Sequence, residues 1–156
     1  MNEFWTQLLS LGSAVLLGGL FGIERELHKH GAGLRTHMMV ALGAALFVQV
    51  SLSFAGNAAA DVARVIQGVA AGIGFIGAGT ILKLTDRQEI KGLTTAGSIW
   101  AAAAVGTACG VQLYVLACTA SALALIILAV VGKAEKTWLR PPPSSTKDTA
   151  PPGSAA

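Results

Sequence analysis

Charge is what this sequence has least of. Only 12% of its 156 residues are Asp, Glu, Lys or Arg, about half the roughly 25% of an ordinary soluble domain, and so few charges cannot cover a water-exposed surface. Cysteine is almost missing: Cys109 and Cys118, nine positions apart in apolar surroundings without CxxC spacing, read as small buried hydrophobes rather than as a disulfide or metal centre. A basic leader is missing too. Met1-Asn2-Glu3 has no positive n-region, so the apolar run behind it reads as a retained span. No nucleophile elbow, HExxH or P-loop occurs, which argues against a hydrolytic enzyme, and no cofactor or metal is expected. The formal charge of +3 does not indicate nucleic acid, because a nucleic-acid reader needs basic residues on a solvated face with stacking aromatics.

Long apolar runs are what the sequence has instead. The first, Phe4 to Ile23, is about 20 residues, which at roughly 1.5 Å each matches a hydrocarbon core of about 30 Å. It stops at Glu24-Arg25-Glu26. Further runs cover Met38 to Ala55, Val65 to Leu82, Leu93 to Ala108 and Gln112 to Val131, with a charged turn from Lys83 to Gly92. The fourth run is weakly hydrophobic, holding Thr94, Thr95, Ser98 and a string of alanines; such a helix faces protein more than lipid. The expected fold is therefore all-α, a polytopic transmembrane bundle of about five spans in the lipid bilayer. With the N-terminus outside and the C-terminus cytoplasmic, ten of the 11 Lys and Arg fall on the cytoplasmic side and only Arg64 outside. Residues 1–132 form the membrane domain, and 133–156 a cytoplasmic tail whose Pro-, Ser- and Ala-rich end cannot offset its ordering entropy.

Gly72-Ile73-Gly74-Phe75-Ile76-Gly77 fits a dinucleotide-binding pattern, but it lies inside an apolar span instead of after a strand. Gly68, Gly72 and Gly79, spaced by four and seven, mark a helix face on which a neighbouring helix, or a second copy of the chain in a homo-oligomer, packs closely. A break in this span, of the kind that lines ion sites, is the alternative. The spans carry no midplane acid, which speaks against ion transport. Gln49, Gln67, Thr80, Thr95 and Ser98 are expected to bond across helices. Carboxylates sit at the membrane edge instead: Glu24, Glu26 and Asp61. Glu24 and Glu26 either pair with Arg25, Arg35 or loop lysines as an ion network, or such edge carboxylates serve a hard cation such as magnesium. Glu24 and His28 are four apart and meet if the helix extends, while His28, His30 and His37 read as solvated interface histidines.

Gly19-Leu20-Phe21-Gly22-Ile23-Glu24-Arg25-Glu26 and Ala32-Gly33-Leu34-Arg35-Thr36, followed by Asp61 and Arg64, by Gly72 to Gly79, and by Gly92-Leu93-Thr94-Thr95-Ala96 with Trp100, resemble the signature of the MgtC/SapB membrane proteins. The resemblance covers roughly Gly12 to Gly132. It implies a bacterial inner-membrane protein linked to growth in low magnesium and, in some members, to survival inside host cells. It further implies a non-enzymatic regulator or adaptor with a membrane partner such as the rotary ATP synthase; a magnesium or small-solute transporter is the alternative. The motif residues it singles out are Glu24, Arg25, Glu26, Gly33, Arg35, Thr36, Asp61, Arg64, Thr94, Thr95 and Trp100. Val62 stands where the family usually has proline, and the soluble ACT-like domain of longer relatives has no counterpart in this sequence.

Overall fold

The computed structural model describes residues 2–28, 31–55, 59–84 and 89–131; the expected tail at 133–156 lies outside them. Among these residues the chain forms α1 (Asn2–Leu27), α2 (Leu34–Ala55), α3 (Ala59–Ala78), α4 (Leu93–Gly110) and α5 (Tyr114–Ile126), the last continuing into a π-helical turn, Ile127–Val131. Three helices are long and apolar enough to cross a membrane, through Glu3–Leu27, Leu34–Phe54 and Ala59–Ala78. The apolar helix Tyr114–Val130 is shorter. The fold is an all-α membrane bundle.

The helices do not end where the apolar runs end, because polar residues continue them. α1 continues through Glu24-Arg25-Glu26 and at 26 residues is about 39 Å long, more than a hydrocarbon core of roughly 30 Å. Its ends therefore reach the interfacial zone, where Phe4 and Trp5 stack edge to face at 5.5 Å. α2 begins at Leu34, ahead of the apolar run, because the backbone N–H of Leu34 donates to Glu26 Oε2 at 2.9 Å. That bond satisfies one of the donors a helix N-terminus leaves open. α3 starts at Ala59 with Asp61 in its first turn, where a carboxylate suits the positive end of the helix dipole.

The charged turn expected after α3 contains a short antiparallel pair, β1 (Leu82–Leu84) and β2 (Glu89–Lys91), with Leu82 opposite Lys91 and Leu84 opposite Glu89. Leu82, expected as the last residue of a span, belongs to this hairpin. Gly92 leaves it with φ 96°, and a Cβ there would collide with the carbonyl oxygen of Thr80. Only glycine fits both the left-handed backbone and the close approach. α3 itself is helical through Gly68, Gly72, Gly74 and Gly77, so the span is continuous.

α4 is the centre of the bundle. Thr95, Ser98, Ile99, Ala102, Ala103, Val105, Gly106, Cys109 and Gly110 are buried, as expected for a weakly hydrophobic helix that packs on protein. α2 runs alongside it in the same direction, and the two approach through small residues. A Cβ added at Gly106 would run into the Ala41 carbonyl, and one at Gly110 would lie 2.9 Å from the Ala45 oxygen. α1 closes on the same residue of α2, where a Cβ at Gly18 would lie 2.7 Å from the Ala41 Cβ. Ser10 Oγ donates to the Cys109 carbonyl at 2.7 Å, tying the start of α1 to the end of α4. Cys109 is buried as expected, but Cys118 is exposed on the outer face of α5, a correction that follows from Ala117 and Ser121 taking the inward positions.

Replacing Gly106 with Ala is expected to lower the unfolding midpoint in mild detergent, by about 1–3 kcal/mol of overpacking. Gly68→Ala, where an added Cβ meets nothing within 4 Å, should be neutral or stabilise by up to about 1 kcal/mol through helix propensity. Equal melting of the two variants would contradict the packing scheme.

Candidate functional site

The most polar part of the interior lies where α1 ends and α2 and α4 begin. Arg25, in the last turn of α1, is 3% exposed. Burying a guanidinium is costly unless it is paired, and three features compensate. Its Nη2 donates to Thr95 Oγ1 at 3.1 Å, its Nη1 lies 3.9 Å from Glu24 Oε2, and the C-terminal end of α1 carries negative partial charge. Compensation is incomplete, since Arg25 Nε and Glu24 Oε2 find no hydrogen-bond partner among the described residues. Glu24 also reaches outward, with Oε1 3.2 Å from Nδ1 of the exposed His28, the helical i, i+4 meeting expected from the sequence.

His37 extends the cluster inward. It is fully buried, which corrects the expectation of a solvated interface histidine. Because α2 starts at Leu34, His37 falls within its first turns on the face that packs against α1 and α4. Its Nδ1 lies 2.9 Å from the Gly33 carbonyl and its Nε2 3.0 Å from Ser98 Oγ. Ser98 Oγ in turn lies 2.8 Å from the Thr95 carbonyl. One connected polar seam thus runs from His28 through Glu24, Arg25, Thr95 and Ser98 to His37, joining three helices.

Of the motif residues, the structure brings together Glu24, Arg25, Thr95 and, through its carbonyl, Gly33. Among the described residues Glu26 caps α2, accepting from the Leu34 N–H. Arg35 and Thr36 are exposed on the first turn of α2, as are Thr94 and Trp100 on α4. Asp61 and Arg64 are exposed at the start of α3, at the far end of α2 from Glu24, a separation of about 33 Å along a 22-residue helix. His30 lies outside the described residues. Among those that are described, no three His, Cys, Asp or Glu side chains converge as metal ligands. Ser98 and Thr95 bond across helices as expected, whereas the burial of His37 was not foreseen, and its helical spacing from Gly33 was the available signal.

A second feature lies between α2 and α3, an apolar groove of about 680 Å³ lined by Met39, Gly43, Phe47, Gly68, Gly72 and Ile76 among others. Gly68 and Gly72 face open space in it, whereas Gly79 lies beyond the end of α3 against the carbonyls of Ile76 and Phe75. Within this chain the close helix contacts are made by Gly18, Gly22, Gly106 and Gly110 instead.

Thr94 and Thr95 provide an internal control for the seam. Thr95→Val takes away the acceptor of a buried guanidinium and should destabilise by about 1–3 kcal/mol. Thr94→Val, at an exposed position, should stay within about 0.5 kcal/mol. Thermal unfolding of the two variants in the same detergent checks this.

Comparison with known proteins places the chain. The MgtC family profile matches residues 11–137. Protein SrpB of Synechococcus elongatus is 38% identical over 138 residues, covering 81% of this chain and 76% of its own length. YhiD of Escherichia coli K12, named as a candidate magnesium transporter, is 40% identical over 129 residues, covering 79% of this chain and 59% of its own. Protein MgtC of Brucella abortus is 41% identical over 121 residues, covering 78% and 49%. The matched segment thus spans about half to three quarters of these relatives. No solved structure matches. On the strength of the profile and these identities, the chain belongs to the MgtC family.

Proposed function

We propose that this chain is a multi-pass protein of the bacterial inner membrane, N-terminus outside, that works without catalysis as a regulator or adaptor in adaptation to low magnesium and in membrane energetics. It acts through helix contacts within the bilayer. The observation that carries this reading is the contrast between the two sides of α2. On one side α1 and α4 close against it at backbone distance; on the other α3 packs through Ile73 but leaves a groove, with Gly68 and Gly72 facing open space and Phe75 84% exposed. Lipid tails are as apolar as the helix, so a flank of small residues gains little from lipid and more from a closely packed helix. A membrane partner, the rotary ATP synthase first among the candidates the family suggests, or a second copy of this chain would supply that helix.

A second reading, transport of a cation or small solute, draws on the name of the Escherichia coli relative and on the partly unsatisfied Glu24 carboxylate. In this reading Glu24 and Asp61, at opposite ends of the helices, mark two entrances.

A photo-crosslinking residue at Phe75 in cells grown in low magnesium is expected to capture one defined membrane protein. The same residue at Val115 on α5, which is 83% exposed, should capture only background. Matching patterns at the two positions would count against the adaptor. Magnesium flux into liposomes containing the purified chain, abolished by Glu24→Gln and Asp61→Ala, would favour transport.

A further inference from the structure

We propose that His37, Ser98 and the Thr95 carbonyl form a proton-binding site inside the bundle, a role separate from the open flank of α3. The argument is a count of hydrogens. The Gly33 carbonyl only accepts, so Nδ1 of His37, 2.9 Å away, carries a hydrogen. Two further gaps remain, 3.0 Å between Nε2 and Ser98 Oγ and 2.8 Å between Ser98 Oγ and the Thr95 carbonyl oxygen. Both have hydrogen-bond length, but with a neutral imidazole only the single hydroxyl hydrogen of Ser98 is available for them. The hydroxyl then donates either to Nε2 or to the carbonyl, and the other gap has no hydrogen. One added proton on Nε2 fills both: Nε2–H donates to Ser98 Oγ, and Ser98 O–H turns to the Thr95 carbonyl.

The surroundings decide what this proton does. From α1, the charged groups facing His37 are Arg25 and Glu24; Glu26 is occupied at the N-terminus of α2. The described part of α4 brings only the hydroxyls of Thr95 and Ser98, since Cys109 lies at its other end. α2 itself adds Arg35, which is exposed. A protonated His37 is therefore a second cation beside Arg25, and Glu24 is the carboxylate the two must share. Thr95 links the two events, because its carbonyl receives Ser98 while its hydroxyl holds Arg25. Protonation at His37 is thereby coupled to the contact between α1 and α4.

Histidine-selective nitrogen NMR of the full chain in lipid nanodiscs, titrated from about pH 8 to pH 4.5, tests this, with His37→Gln assigning the signal. The expected result is an Nδ1–H tautomer at high pH that becomes doubly protonated within that window. Ser98→Ala, which removes the acceptor for Nε2–H, should move the transition down by about one pH unit. Arg25→Met should move it up, by removing the neighbouring cation. A His37 ring that keeps one tautomer down to pH 4.5 would overturn the proposal. So would a transition that neither variant moves; circular dichroism of each variant separates a lost fold from a shifted titration.

Discussion

The close approach of two helices to Ala41 is the constraint on which the rest of the structure depends. Gly18 of α1 and Gly106 of α4 both face this one residue of α2, and neither position has space for a methyl group. In a bilayer, apolar side chains gain little by leaving lipid, so helices associate where their backbones come close enough for dispersion contacts and hydrogen bonds. Three helices meeting at one alanine are held by that geometry. One turn before Ala41 it places His37 against Ser98, and one turn further along the bundle it sets Arg25 against Thr95.

The polar seam follows from this packing. Arg25, Glu24, His37, Ser98 and Thr95 come from three helices, and each would be expensive to bury alone. Together they share hydrogen bonds across the three helices, while Arg25 Nε and Glu24 Oε2 have no partner among the described residues. Partly satisfied buried networks respond strongly to a single added or removed proton, because low local dielectric strengthens both the attraction and the penalty. The seam is accordingly a place where a small chemical event acts on three helices at once.

The two sides of α2 suit different tasks. Toward α1 and α4 it is sealed, and the apolar residues packed there, including Phe21, Ala45 and Val105, leave no contact for an outside helix. Toward α3 it is open, and the groove between Met39 and Ile76 is a surface of the kind a partner helix uses. A regulator needs both a fixed part and an accessible one. This division is what supports the proposal of helix contact within the bilayer.

Much of the architecture was legible in the sequence, because hydrophobicity is a property each segment has by itself. Scarce charge and runs of span length are enough to choose a membrane bundle, since a lipid core tolerates only backbones that satisfy their own hydrogen bonds. The interior place of α4 followed from its alanines, threonines and serine, and the Glu24–His28 contact from a spacing of four along one helix. The rest needed the tertiary structure. A helix that is apolar all round has no periodicity to show which face turns inward, so Gly68 and Gly72 stood out for packing while Gly18 and Gly106 did not. Burial of His37 depended on where α2 starts and on a serine 61 residues away. The separation of Asp61 from Glu24 depended on helix direction. Segment-against-solvent preferences are written residue by residue, whereas contacts between distant residues are decided by how the helices rotate against one another, which only the folded bundle specifies.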